Sequence, residues 1–62
     1  MPIIEVNMLE GRTDEQKRAM VSSMTEAVIK SLDVPPQSVR IMIREMEPRH
    51  YAIGGVMRDA SG

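Results

Sequence analysis

A chain that opens Met1-Pro2 holds one latent base. Trimming of the first methionine, usual before a small second residue, leaves a prolyl secondary amine. An α-amino group titrates at roughly 8, and a secondary amine is intrinsically more basic. Partial burial and neighbouring guanidinium groups both disfavour the ammonium form, and so bring the amine toward neutrality, where a general base works well. Arg40 is a second chemical candidate, because it falls within an apolar alternating segment beside Met42, where a guanidinium needs an acceptor or a wet cavity. Arg12, taken alone, is a solvated loop cation. Other chemistries drop out. There is no cysteine, and His50 is the single histidine, read as an exposed turn residue, so thiol nucleophiles and metal sites have no basis. Gly54-Gly55 lacks the strand-loop-helix context of a dinucleotide site. Asp14 and Glu15 sit where a helix begins, and there they complement its dipole.

The elements that would position these groups are legible. Pro2 to Leu9 reads as a strand, with Ile4, Val6 and Met8 alternating against Ile3, Glu5, Asn7 and Leu9. Glu10-Gly11-Arg12 is a short connection. Thr13 with Gln16 fits a capping box opening a helix. Met20, Val21, Met24, Ala27, Val28 and Leu32 form its apolar stripe, with Lys17, Arg18, Ser22, Ser23, Glu26 and Lys30 off it. Pro35 and Pro36 end the helix near Leu32 or Asp33. Val39 to Met46 is a second strand, its Val39, Ile41 and Ile43 on one face and Arg40, Met42, Arg44 and Met46 on the other. A helix between two strands makes a βαβ unit with parallel strands. Glu47 to His50 is a turn, and Tyr51 to Met57 a short hairpin about Gly54-Gly55. Arg58 to Gly62 has no pattern and reads as a tail.

One helix covers only one face of a two-stranded sheet, and a 62-residue chain buries only roughly 60% of its unfolded surface. Disulfides and metals being absent from the residue types, self-association is the expected way to complete the fold, and Arg44 is expected to serve it through an intersubunit salt bridge. Apolar residues make up 42% of the chain, too many for disorder, and Ile, Val, Leu and seven Met are expected to build its core, Tyr51 being the only aromatic residue. A net charge of −1, and no set of aromatic platforms, argue against nucleic acid. No apolar run approaches the roughly 20 residues of a membrane span and no signal peptide is visible, so a cytoplasmic, single-domain protein over residues 1–62 is expected.

Five stretches then occur together: Pro2-Ile3-Ile4, the run from Leu9 to Lys17 reading LEGRTDEQK, Ser31-Leu32-Asp33, Ser38-Val39-Arg40, and Ile53-Gly54-Gly55. Together they resemble the 4-oxalocrotonate (2-hydroxymuconate) tautomerase family, without gaps over nearly the whole chain. The resemblance implies an α+β fold, a single βαβ unit with a C-terminal hairpin, assembled as a homohexamer that is a trimer of dimers. It implies a proline base, no metal or organic cofactor, and a small unsaturated oxo-acid or dienol substrate, such as a dicarboxylate of aromatic hydrocarbon catabolism. The proline takes a proton from the dienol and returns it to a distant carbon, giving the conjugated ketone.

Carried over by position, the resemblance makes Pro2 the base and gives Arg12 the remote carboxylate, where it draws electron density along the conjugated system. Arg40 matches an arginine, supplied by a neighbouring subunit, that binds the carboxylate and oxygen at the reacting end. The backbone N–H of Leu9 matches a position that orients groups there. Tyr51 stands where the family commonly has phenylalanine, walling the pocket. Haloacrylate dehalogenases of the same superfamily need a carboxylate where this chain has Ile53 and an arginine where it has Leu9, so hydration is disfavoured. The decarboxylase and cytokine-like branches are about twice this length. Two alternatives stand beside the main reading. One is the same mechanism on another enol in a biosynthetic pathway; the other is a non-catalytic oligomer, should Met1 be retained and the Pro2 nitrogen remain an amide.

Overall fold

The computed structural model describes residues 1–58; the stretch Asp59-Ala60-Ser61-Gly62, read above as tail, lies outside them. Strand β1 (Ile3–Leu9), helix α1 (Asp14–Leu32) and strand β2 (Arg40–Met46) form the expected βαβ unit, followed by a hairpin of β3 (Ala52–Ile53) and β4 (Val56–Met57). β1 and β2 pair in parallel from Ile3 opposite Arg40 to Leu9 opposite Met46, and β3 pairs with β4 antiparallel. Gly54 and Gly55 take φ of 60° and 84°, the positive values that a two-residue hairpin turn demands.

Helix α1 starts where the sequence says it should. The Thr13 hydroxyl accepts from the Gln16 N–H at 3.1 Å, and the Thr13 N–H donates to the Gln16 side chain at 3.0 Å. At the other end Asp33 turns left-handed, φ 54°, and its N–H donates to the Ile29 carbonyl. Two strand starts are each one residue later than expected. Pro2 has no N–H to give a ladder, and Val39 instead closes a 3-10 turn over Pro36–Ser38 by donating to the Pro36 carbonyl.

The stripe on α1 differs in membership from the expected one. Met20, Val21, Met24 and Val28 are half-buried, but so are Lys17, Thr25 and Ile29, while Ala27 and Leu32 are exposed. Lys17 belongs there because its ammonium reaches Glu45 of β2 at 2.9 Å and Asp14 at 3.5 Å, tying helix to sheet. Thr25 is tolerated because its hydroxyl donates to the Val21 carbonyl at 2.7 Å. Under the helix lie half-buried Ile4, Val6, Met8, Ile41 and Ile43.

The opposite sheet face is uncovered. It presents Ile3, exposed to 61%, with Met42, and an ion pair of Arg44 with Glu5 at 3.5 Å. Within the chain, Arg44 thus already lies against Glu5. Among the described residues none is buried, and Ile53, Val56 and Met57 of the hairpin are exposed as well. The accessible area of 4854 Å² exceeds the about 4,000 Å² expected of a folded 7.0 kDa monomer. The radius of gyration, 14.5 Å, likewise exceeds the about 11 Å of a compact chain this long. No helix of the described residues is long and apolar enough to cross a membrane.

Two outcomes are expected. With no buried residue among the described ones, the isolated chain is expected to unfold, so its melting midpoint should rise with protein concentration; a dilute monomer, identified by sedimentation, that keeps its helical circular dichroism would contradict this. Hydrogen bonding to Glu45 raises the Lys17 pKa above its ordinary 10.5. The tie thus contributes fully below that value and is lost as pH climbs through the higher folded one. The urea midpoint of the wild type should fall above pH about 10.5, and that of Lys17→Met should fall less.

Candidate functional site

The sequence-selected residues fall into two groups at opposite ends of the sheet. At the N-terminal end, the Arg40 N–H donates to the Pro2 carbonyl at 3.0 Å, which fixes the residue before β1 against the first residue of β2. Pro2 is half-buried and continues the alternation of Ile4 and Val6 toward α1, while Arg40 is exposed in phase with Met42 on the uncovered face. Their backbones are neighbours, but alternation sends their side chains to opposite faces. The guanidinium of Arg40 does not therefore converge on the Pro2 of its own chain.

At the C-terminal end are Leu9, Arg12 and Tyr51. Leu9 closes β1 opposite Met46, and the next N–H, of Glu10, donates to the Met46 carbonyl at 2.9 Å. Gly11 then turns with φ 125°, a value that a side chain would strain, and the capping box locks Thr13. Arg12 is thus held on a three-residue loop anchored on both sides. It faces a shallow cleft of about 220 Å³ with Met8, Gln16, Lys17 and Met20. Tyr51 is set by a 3-10 turn over Pro48–His50, its N–H donating to the Pro48 carbonyl at 3.0 Å. It lines a second cleft, about 270 Å³, with Asn7, Met8, Leu9, Met46 and Arg58.

Six residue steps along β1, at about 3.3 Å each, separate these groups by about 20 Å. A small acid is far shorter than that. One chain therefore brings Pro2 near the Arg40 backbone, and Leu9 near Tyr51, but does not bring the two groups together.

Charge is distributed tellingly. Lys17, Arg44 and Arg49 are matched by Glu45 with Asp14, by Glu5 and by Glu47 respectively. Arg12, Arg18 and Arg40 have no ion pair among the described residues. Two of these three are the arginines selected from sequence, and an unpaired guanidinium is the natural receptor for a carboxylate. A larger cleft, about 400 Å³, runs past Asp14, Lys17, Arg18 and Glu45, but its lysine is already neutralised by two acids. Arg58, read from sequence as the start of a patternless tail, instead lies beside Tyr51, its N–H donating to the Tyr51 carbonyl. Its place directly after β4, on the antiparallel return, brings it there.

A sequence model of the family described as tautomerase enzyme matches residues 2–60. The 2-hydroxymuconate tautomerase of Stutzerimonas stutzeri is 47% identical over 62 residues, which span 100% of this chain and 98% of that protein. Among solved structures, a 4-oxalocrotonate tautomerase isozyme of Methylibium petroleiphilum is 52% identical, with a TM-score of 0.86 over 90% of this chain and 88% of its own. A heterohexamer 4-oxalocrotonate tautomerase of Chloroflexus aurantiacus J-10-fl is 37% identical, with a TM-score of 0.86 over 92% of each chain.

The loop geometry separates residues kept for stability from residues available for binding. Gly11→Ala should cost about 1 kcal/mol or more in urea unfolding, because of its positive φ. Arg12→Ala, which removes an exposed side chain without an ion pair, should change stability by less than about 0.5 kcal/mol. The reverse order would mean that Arg12 is held for the fold.

Proposed function

The chain belongs to the tautomerase family, and we propose that it is a cofactor-free enzyme that turns a small dienol, such as 2-hydroxymuconate, into its conjugated 2-oxo acid. The observation that carries this reading is the family match itself, which runs from Pro2 over nearly the whole chain. Met1 is 78% exposed and so open to an aminopeptidase. Its removal converts the Pro2 nitrogen from an amide into a secondary amine, the only change needed to create the base. That amine accepts the proton of the 2-hydroxyl as the enol carbon–oxygen bond becomes a carbonyl. It then delivers the proton to the far carbon of the conjugated system, so that the net reaction is an isomerisation and the amine returns unprotonated. Arg40 binds the carboxylate and oxygen at the reacting end, Arg12 the remote carboxylate, and each pairing is favourable because a guanidinium meets a carboxylate with two parallel hydrogen bonds. The N–H of Leu9 orients the acid, and Tyr51 walls the pocket.

Assembly is part of the proposal. The about 20 Å between the two groups of one chain, the opposite facing of Pro2 and Arg40, and the uncovered sheet face and hairpin all call for further copies. A homohexamer, a trimer of dimers working in the cytoplasm, answers them together. The solved heterohexamer from Chloroflexus aurantiacus supports that order of assembly.

Ketonisation of 2-hydroxymuconate, followed by ultraviolet absorbance on protein whose intact mass lacks Met1, tests the reading. Turnover should fall by about 10²–10⁴-fold in Pro2→Ala, and a preparation retaining Met1 should be inactive. Absence of turnover from correctly processed protein would refute 2-hydroxymuconate as substrate and leave another enol, or a non-catalytic assembly.

A further inference from the structure

The Arg12 cleft holds one polar group that the proposed site does not use. Gln16 lines it beside Arg12, and Met8 of β1 and Met20 of α1 give it apolar walls. The capping box settles which end of the Gln16 amide is taken. The Thr13 N–H needs an acceptor and has the Gln16 side-chain oxygen at 3.0 Å, so the NH2, with its two donors, is the end left over. Among the described residues neither that NH2 nor the Arg12 guanidinium has a hydrogen bond or ion pair. Lys17 lines the cleft as well, but its ammonium is occupied by Glu45 and Asp14. No carboxylate is among the described residues lining it. At about 220 Å³ the cleft falls short of a full ligand pocket, roughly 300 Å³ upward, and suits one end of a small acid.

We propose that Gln16 is a specificity residue whose amide NH2 joins the Arg12 guanidinium in holding the remote carboxylate of a dicarboxylic acid. The choice of a dicarboxylate rests on the tautomerase reading; the subsite itself rests on the cleft and the cap. A carboxylate has two oxygens and about four acceptor sites, more than one guanidinium fork fills, so an amide N–H adds to Arg12 without displacing it. The identity of the capping residue matters for the same reason. Glutamate closes a capping box as well as glutamine does, but here its carboxylate would stand in the cleft with Arg12 and occupy it. The neutral amide caps the helix and leaves Arg12 open to a ligand.

The test is direct binding, by calorimetry, of trans,trans-muconate to the processed full chain. Muconate has both carboxylates but no 2-hydroxyl, so it reports binding without turnover. Gln16→Met, which keeps the side chain's length and loses the donor, should weaken muconate by about tenfold, the value of a charged hydrogen bond. Gln16→Glu should weaken it by at least as much, although the capping box survives and circular dichroism and assembly mass match the wild type. Thr13→Ala is the control for the cap: it removes the other capping bond, lowers the melting midpoint as Gln16→Met does, and should leave muconate affinity unchanged. Wild-type affinity in Gln16→Met would overturn the proposal, as would a loss in Thr13→Ala equal to that in Gln16→Met, because Gln16 would then be a helix cap alone. Failure of the wild type to bind muconate would overturn it too. A chain that fails to ketonise 2-hydroxymuconate yet binds muconate through Gln16 would sink the catalytic reading and support the subsite. One that ketonises it, with muconate affinity indifferent to Gln16→Met, would do the reverse.

Discussion

Everything in this molecule follows from one shortage: a single helix must cover a sheet that has two faces. Helix α1 shields Ile4, Val6, Met8, Ile41 and Ile43, and even these are only half-buried. The other face keeps Ile3 and Met42 in contact with water, as the hairpin keeps Ile53, Val56 and Met57. Burial of apolar area is the main force that offsets chain entropy, and one chain has too little of it.

The same shortage shapes the chemistry. A sheet only two strands wide has no interior in which to build an enclosed pocket, so its clefts are shallow and lie at its ends. The candidate base is at the end where Pro2 meets Arg40, and the groups that would grip an acid are at the end where β1 stops and the hairpin returns. Partition of this kind makes assembly a condition of activity in the proposed function. Polar contacts hold each end in shape while the middle supplies the apolar contact with α1. The capping box, the Glu10 bond to Met46 and the Lys17 tie to Glu45 do this around Arg12.

Some of the misreadings are instructive. Lys17 was set off the apolar stripe because it is charged, yet a long stem allows its methylenes to lie in the stripe while its ammonium reaches Glu45. Ala27 and Leu32 have the right spacing, yet both are exposed, while Thr25 and Ile29 take their place in the stripe.

The sequence alone determined what short-range physics controls. Alternation placed both strands, Thr13 and Gln16 the helix start, the Pro35-Pro36 pair its end, and Gly54-Gly55 the hairpin turn. It also carried the family resemblance, and with it the candidates Pro2, Leu9, Arg12, Arg40 and Tyr51. Tertiary structure alone decided which of these residues meet. Parallel pairing puts Pro2 beside the Arg40 backbone and leaves Arg12 a strand's length away, because a crossover connection returns the chain to the end where it started. The hairpin's register sets Arg58 against Tyr51. No pattern of residue types encodes such a meeting; it depends on where distant segments stop, and that is settled only when the chain has folded.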